Sequence, residues 1–264
     1  MSATKPLGLN GRLFVILVRP ESLENIGLAA RAMKNTGFRN LRVVGRKKLE
    51  IACPRTAVHA EEIIKEAASF SDLASATDDL NVVFASTAKR RKNFSALPLD
   101  AAVSKMLSFS GKTKIGLLFG NERTGLTSAE LAASNFRWFI PQASRQPSYN
   151  LAAAVLITLF ELFRRRVTGT IPFSRGSVPR LTRSEAEKKR PAPFFVDREV
   201  PLPRSEQEEC IRLILQKLER RKFIHPTNKR HTTQMVRDLL GRLALTDRDR
   251  KLLLAMFSHA GWDE

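Results

Sequence analysis

The sequence predicts an α/β protein built on a parallel sheet, and two observations support this prediction. Between Arg12 and Val167, short apolar runs rich in Val, Ile and Phe alternate with stretches of helical spacing. Continuous apolar runs indicate strands buried on both faces, and their alternation with helices is typical of parallel sheets. The size agrees, because 264 residues with 43% hydrophobic content can bury a large core.

Five strands and four helices are predicted in this region. The strands are the apolar runs RLFVILV, LRVVG, NVVFAST, KIGLLFG and RWFIP. The helices cover Ile26 to Asn35, Ala57 to Ala68, Leu99 to Leu107 and Ser128 to Ala133. Gly37 is expected to end the first helix in a left-handed conformation, and Thr127 with Glu130 forms a capping box for the last. A further helix, Leu151 to Leu162, is apolar nearly all round, which predicts burial on every side and a second subunit on one of them.

The chain divides by composition into three parts. Residues 169–203 hold six of the thirteen prolines and predict an extended linker. It separates a domain at 1–168 from a small helical domain at 204–264. Capping boxes are predicted there at Ser205 with Glu208 and at Thr246 with Asp249. Three short helices make a marginal core, so we expect them to contact another surface, either RNA or a second subunit.

Charge and cysteine content narrow the class of partner. With 45 Lys and Arg against 26 Asp and Glu, the net charge is +19, which favours a nucleic acid. The apolar runs are too short to span a membrane, and the N-terminus lacks a signal sequence, so a cytoplasmic protein without a membrane partner is expected. Two cysteines and four histidines without ligand spacing predict no disulfide framework and no metal.

Two nucleotide-binding motifs are excluded by their missing residues. The loop GNERTG, Gly120 to Gly125, begins like a P-loop, but Leu126 and Thr127 stand where Lys and Ser or Thr are required. No GxGxxG motif follows the first strand, and no Ser, His and Asp constellation can be argued.

Polar residues stand instead near the ends of predicted strands. Asn25 and Arg31 lie on the apolar helix after the first strand, and Glu122 follows the strand KIGLLFG. Ser148 and Asn150 precede the long apolar helix. Ligands of open parallel sheets bind along the carboxyl edge, where these residues are expected. A structural interpretation stays open, with Asn25 as a cap, Arg31 on a solvated face and Ser148 or Asn150 capping the next helix.

Three segments together resemble a known family. NIGLAARAMKNTGF, LLFGNERTGL and IPQASRQPSYNLAAAV are similar to the three ordered motifs of the TrmH-type SPOUT RNA methyltransferases. The matching residues are Asn25, Gly27 and Arg31 in the first motif, Gly120, Glu122 and Gly125 in the second, and Ser148 and Asn150 in the third. Tyr149 departs from the family's usual Leu. The C-terminal run LLGRLALTDRDRKLLLAMFSHAGW resembles the small domain of the TrmJ branch.

The resemblance implies a fold, a cofactor and a reaction. It implies a SPOUT sheet with a deep trefoil knot, a homodimer, and methyl transfer from S-adenosyl-L-methionine to a ribose 2′-hydroxyl of tRNA, in the anticodon loop. The implied catalytic residues are Arg31, Asn25, Glu122, Ser148 and Asn150. The implied cofactor contacts are Ser86, Thr87, Ala88, Gly120, Ile140, Pro147, Ser148 and Tyr149. A guanidinium is a poor proton acceptor, so we expect Arg31 to bind a phosphate and polarise the hydroxyl.

RNA contacts and other functions follow from the same resemblance. RNA contact is expected for Lys89, Arg90, Arg91 and Lys92, which directly follow an implied cofactor loop, and for Lys229, Arg230 and Arg242 in the small domain; a solvated surface is the alternative for these basic residues. A neighbouring SPOUT branch that methylates ribosomal RNA would share every catalytic residue. A non-catalytic RNA-binding homologue would be expected to lack Arg31, Glu122 or Asn150, and a structural RNA partner would need no cofactor pocket.

Overall fold

The fold is taken from a computed structural model of the chain. It describes residues 9, 11–46, 57–88, 95–143, 148–168 and 199–257. In the range 148–168, side chains are described up to residue 165. Most of the predicted linker at 169–203, namely residues 169–198, lies outside the described residues, as do the basic run Lys89 to Lys92 and Pro147.

Seven strands, counted within the described ranges, form one parallel sheet. They are β1 (Leu13–Val18), β2 (Asn40–Val44), β3 (Ala68–Phe70), β4 (Val82–Ser86), β5 (Leu97–Pro98), β6 (Ile115–Phe119) and β7 (Phe136–Phe139). Their order is β3-β2-β1-β6-β4-β7-β5, and every pairing is parallel. The five predicted strands are confirmed as β1, β2, β4, β6 and β7.

Nine helices are present in the same ranges. They are α1 (Leu23–Thr36), α2 (Glu61–Lys65), α3 (Leu73–Thr77), α4 (Leu99–Leu107), α5 (Ser128–Ala132), α6 (Leu151–Thr168), α7 (Arg204–Arg220), α8 (Lys229–Leu243) and α9 (Asp247–Met256). The helix predicted from Ala57 to Ala68 is wrong in extent. His59 has a left-handed φ of 62°, which no helix interior accommodates. Ala60, at the N-cap position of α2, has no polar side chain to cap the helix, so only one short helix forms before β3 begins.

The predicted helix caps are confirmed with one exception. Gly37 ends α1 at φ 78°, and complete capping boxes form at Thr127 with Glu130 and at Thr246 with Asp249. The capping box expected at Ser205 is wrong, because α7 already begins at Arg204 and the Ser205 amide donates to the carbonyl oxygen of Asp78 at 3.4 Å.

Helices cover both faces of the sheet. The larger core lies on the side of α1, α4 and α6, and its largest fully buried side chains include Trp138, Phe38 and Phe119. A smaller core includes Ala76 of α3 and Leu131 of α5. Within the described part of the chain, no helix is both long enough and apolar enough to cross a bilayer.

The C-terminal helices dock on the amino ends of the strands through buried polar groups. The Gln207 side chain of α7, which is 0% exposed, donates to the carbonyl oxygens of Asn81 and Leu202 at 2.7 and 2.6 Å. Asn135, just before β7, donates to Gln207 and to the carbonyl oxygen of Gly241 in α8. Within the described residues, the surface that these helices contact is this protein's own sheet, at the edge opposite the carboxyl ends of the strands.

Candidate functional site

Three loops at the carboxyl edge of the sheet are joined by one chain of hydrogen bonds. The Asn25 side chain donates to Oε1 of Glu122 at 2.9 Å, and the Asn150 side chain donates to Oδ1 of Asn25 at 2.9 Å. These residues belong to the three separate motifs, 97 and 125 positions apart in sequence. The fold thus brings three predicted site residues into direct contact.

Glu122 is held by main-chain donors as well. Its carboxylate accepts from the backbone N–H groups of Glu21 at 2.8 Å and Ser22 at 3.1 Å. Partial burial acts to raise the pKa of the Glu122 carboxyl, but these bonds and the bond from Asn25 outweigh it and lower the pKa below its usual value. Glu122 is therefore ionised at neutral pH and is a poor proton acceptor, which suits an anchor of loops better than a general base.

The structural interpretation of Asn25 is wrong, because the helix cap is a different residue. Ser22 caps α1, and its hydroxyl accepts from the Asn25 amide N–H at 3.3 Å. Asn150 does act as a cap, since its side-chain oxygen accepts from the amides of Ala152 and Ala153 at 2.9 and 3.3 Å. Asn150 therefore both begins α6 and holds Asn25.

Sequence reasoning missed Asn121, which organises the loop between Gly120 and Gly125. Its side-chain oxygen accepts from the amides of Arg123 and Thr124, both at 3.0 Å, and its side-chain amide donates to the carbonyl oxygen of Arg19 at 2.9 Å. Its place between Gly120 and Glu122 was the available signal. Asn121 is 9% exposed, so these bonds are shielded from water and fix the loop against the end of β1.

Arg19 clamps the same loop from the end of β1. Its guanidinium pairs with the carboxylate of Glu130, the residue that also completes the α5 capping box. A second nitrogen approaches the carbonyl oxygen of Gly125 at 3.4 Å. Arg19 has a left-handed φ of 50°, an uncommon conformation for a residue with a side chain, so the clamp is maintained against local strain.

Gly120 is required by its own loop. A Cβ atom there would lie 2.4 Å from the carbonyl carbon of Gly125 and from the nitrogen of Leu126, far inside van der Waals contact. Gly125 itself has a φ of 67°. The close approach at Gly120 is therefore made by its own backbone loop, which folds back over the end of β6.

A cavity of about 360 Å³ opens beside this loop. Seven of the eight predicted cofactor residues line it, namely Ser86, Thr87, Ala88, Gly120, Ile140, Ser148 and Tyr149. Its walls also include Asn121, Glu122 and Gln142. The volume and mixed lining fit the usual range of small-molecule sites, about 300–1,000 Å³. Another cavity of about 400 Å³ lies between α7 and α9, but none of the predicted site residues is in its described lining.

The other predicted residues lie apart from this cavity. Arg31 is exposed on α1, six positions beyond Asn25, and its side chain makes no hydrogen bond or ion pair with any described residue. Lys229, Arg230 and Arg242 are on α8, in the helices docked at the opposite edge of the sheet. Lys229 pairs with Glu219 at 2.5 Å. Among the described residues, no group of three or more His, Cys, Asp or Glu side chains is placed to hold a metal ion.

The architecture and the site define an α/β protein with a cavity of small-molecule size at the carboxyl edge of a parallel sheet, where ligands of such sheets bind. The chain belongs to the SpoU rRNA methylase family, whose model matches residues 12–160. The family resemblance carried by the three motifs is confirmed.

Several relatives resemble the chain along most of its length. It is 31% identical to the tRNA (cytidine-2′-O-)-methyltransferase TrmJ of Methanocaldococcus jannaschii over 80% of this chain and 92% of the relative. It is 27% identical to the tRNA (cytidine/uridine/adenosine-2′-O-)-methyltransferase TrmJ of Pseudomonas aeruginosa over 92% and 91%. The crystal structure of TrmJ from Z. mobilis ZM4 superposes with a TM-score of 0.70 at 26% identity, covering 92% of this chain and 96% of that one. The likeness thus includes the C-terminal helices.

Proposed function

We propose that this protein methylates a ribose 2′-hydroxyl of tRNA with S-adenosyl-L-methionine as the methyl donor. The observation that carries the proposal is the chain of hydrogen bonds Glu122–Asn25–Asn150, which joins the three motif loops beside a cavity of about 360 Å³. The TrmJ relatives favour tRNA over ribosomal RNA as the substrate. A tRNA substrate also agrees with a cytoplasmic protein and with the net charge of +19.

The cavity lining suits this donor. Backbone groups of the loops at Ser86 to Ala88 and at Ser148 and Tyr149 supply hydrogen-bonding atoms, while Ile140 and Phe119 supply apolar surface. We assign the predicted cofactor residues, including Pro147, to this role. When bound, S-adenosyl-L-methionine supplies a methyl group made electrophilic by its sulfonium.

The protein's own residues then have two tasks. The three motif loops are held together by Glu122, Asn25 and Asn150. Ser148, two positions before Asn150, lines the cavity. Arg31, whose guanidinium is free within the described chain, binds an RNA phosphate and polarises the acceptor hydroxyl. Lys89 to Lys92 directly follow the cavity residue Ala88, so these four cations suit RNA near the site.

The proposal extends to a homodimer formed through α1 and α6. Leu28 of α1 is 40% exposed, and Leu156 and Phe160 of α6 are 43% and 52% exposed. The two helices pack against each other, so a second copy covering both would bury these side chains. A Phe160→Glu substitution is expected to shift the mass measured by light scattering from two chains towards one.

Two further features are proposed on family grounds. One is a trefoil knot that threads the chain near the cavity, an exception to the general absence of knots in proteins. The other is the division into domains at 1–168 and 204–264 with a linker between them, in which Lys229, Arg230 and Arg242 of the small domain contact the tRNA backbone. A crystal structure of the protein with tRNA tests both.

Transfer of a labelled methyl group tests the proposed reaction. The protein is incubated with methyl-labelled S-adenosyl-L-methionine and either bulk tRNA or ribosomal RNA. We expect label in tRNA, recovered after digestion as 2′-O-methyl nucleosides. Label in ribosomal RNA alone would assign the protein to the neighbouring branch, and label in neither would overturn the proposal.

A further inference from the structure

The chain has a single tyrosine, and it stands at the mouth of the cavity. Tyr149 lines the cavity and keeps 43% of its surface exposed. The resemblance implies Leu at this position, so the aromatic ring departs from the usual third motif. An exposed ring at the entrance of a polar cleft offers an apolar face to whatever approaches from outside.

The ring is held in place by its hydroxyl. The Tyr149 hydroxyl donates to the carbonyl oxygen of Pro141 at 3.2 Å, which ties the segment before α6 to the segment after β7. A leucine at this position has no group that forms such a bond. Because the bond restricts the side chain before any ligand arrives, less conformational entropy is lost when a planar group stacks on the ring.

We propose that the Tyr149 ring is a stacking surface for the base of the nucleotide that receives the methyl group. The inference rests on the proposed function. A hydroxyl that is methylated at this cavity belongs to a ribose at its mouth. The base attached to that ribose is then at the same entrance as the Tyr149 ring. Every base has a π-face, so stacking accommodates more than one base identity.

The exposed position favours RNA over the cofactor as the stacking partner. A group enclosed in the cavity would be served by the inner wall, which Phe119, Gly120 and Ile140 supply. Tyr149 keeps 43% of its surface in solvent, and its hydroxyl bonds to Pro141, which is not among the described residues that line the cavity. The side chain therefore adds a contact outside the cofactor site.

A double-mutant cycle that combines a change of Tyr149 with removal of the base tests this stacking. Wild type and Tyr149→Leu are assayed on a tRNA whose methylated nucleotide has been mapped, carrying either its normal base or no base at that position. Stacking of one base corresponds to roughly 5- to 150-fold in kcat/KM. We expect the kcat/KM of wild type to fall by this factor when the base is removed. The kcat/KM of Tyr149→Leu should fall by a similar factor on the normal tRNA and should fall little further on the abasic tRNA.

Controls separate stacking from a structural effect. Tyr149→Phe retains the ring and is expected to stay within a few-fold of wild type. Phe223→Leu removes another exposed ring, 60% exposed in the connection between α7 and α8, and is expected to leave kcat/KM unchanged. Light scattering on Tyr149→Leu is expected to give the wild-type mass.

Each adverse outcome has a distinct meaning. Losses that multiply independently, or a weaker affinity for S-adenosyl-L-methionine with an unchanged KM for tRNA, would overturn the stacking role and leave the proposed function standing. A changed mass for Tyr149→Leu would reassign the ring to the contact between subunits. If wild type transfers no methyl group to any RNA, the proposed function itself fails.

Discussion

The side-chain amide of Asn150 donates to the side-chain oxygen of Asn25 at 2.9 Å, although 125 positions separate them in sequence. Asn25 passes the connection on by donating to Glu122. Asn25 thus acts as acceptor and donor at once, which an amide does and a carboxylate cannot. The Asn25 side chain thus links Asn150 of the third motif to Glu122 of the second.

Replacing Asn25 with Asp tests that dependence. Asn25→Asp loses the donor to Glu122 and places two carboxylates in contact. A hydrogen bond to a charged group contributes about 1.5–3 kcal/mol, so we expect affinity for S-adenosylhomocysteine to fall roughly 10- to 150-fold in equilibrium dialysis. Asn35→Asp adds the same charge at an exposed position of α1 and should bind as wild type. Equal affinity of both variants would contradict the role of Asn25.

Gly120 allows a sharp comparison with a second glycine. Gly120→Ala places a Cβ 2.4 Å from backbone atoms, whereas a Cβ at Gly111 meets nothing within 4 Å. Overpacking costs about 1–3 kcal/mol, which lowers the melting temperature by about 2–4 °C per kcal/mol in a chain of this size. We expect calorimetry to show this decrease for Gly120→Ala and no decrease for Gly111→Ala. A wild-type melting temperature for Gly120→Ala would contradict the described loop.

Arg31 should affect the reaction without affecting the fold. Because its side chain is exposed and makes no hydrogen bond or ion pair with a described residue, Arg31→Lys should leave the melting temperature and donor affinity unchanged. Loss of the planar guanidinium is expected to lower kcat by about tenfold or more, since Lys cannot donate two parallel hydrogen bonds to a phosphate. Arg39→Lys, at another exposed position, is the control and should retain kcat. Activity of Arg31→Lys near wild type would rule out the planar guanidinium as the essential feature.

The docking of the C-terminal helices depends on Gln207. Gln207→Leu leaves the carbonyl oxygens of Asn81 and Leu202 without their buried donor. We expect a loss of about 2 kcal/mol or more in the free energy of unfolding measured with urea. Gln216→Leu, exposed on the same helix, should change this free energy by less than about 0.5 kcal/mol. Equal losses for both variants would mean that the buried amide adds nothing to docking.

Asp79 gives the stability a dependence on pH. Hydrogen bonding from Arg42 lowers the pKa of Asp79 to about 2, well below the usual range of an aspartate, with Lys114 adding to the effect. A lowered pKa in the folded state stabilises the fold above the unfolded value, and this contribution is lost as pH falls towards about 2. The difference in unfolding free energy between wild type and Asp79→Asn should therefore shrink from pH 5 towards pH 2. A constant difference over this range would contradict the assignment.

Much of the fold could be predicted from local patterns, and the exceptions have physical reasons. β1, β2, β4, β6 and β7 are apolar runs long enough to show as strands, whereas β3 and β5 have three and two residues and carry no periodicity. The short α2 shows that helical spacing does not guarantee a helix when a backbone turn interrupts it.

The sequence identifies residues of the candidate site, but it does not predict which of them contact each other. The motif order identified Asn25, Glu122 and Asn150, but their bonds join residues about one hundred positions apart, and no local pattern encodes them. The clamp from Arg19 to Glu130 and the docking of Gln207 were missed for the same reason. Long-range polar contacts depend on the completed fold.

Calorimetric titration with S-adenosylhomocysteine tests the central claim most directly, namely that three loops form one site for the methyl donor. The wild-type protein should bind one molecule per chain with saturable heat, and Asn25→Asp should bind at least about tenfold more weakly under the same conditions. Absence of heat for the wild-type protein, or identical binding by the two proteins, would contradict the claim.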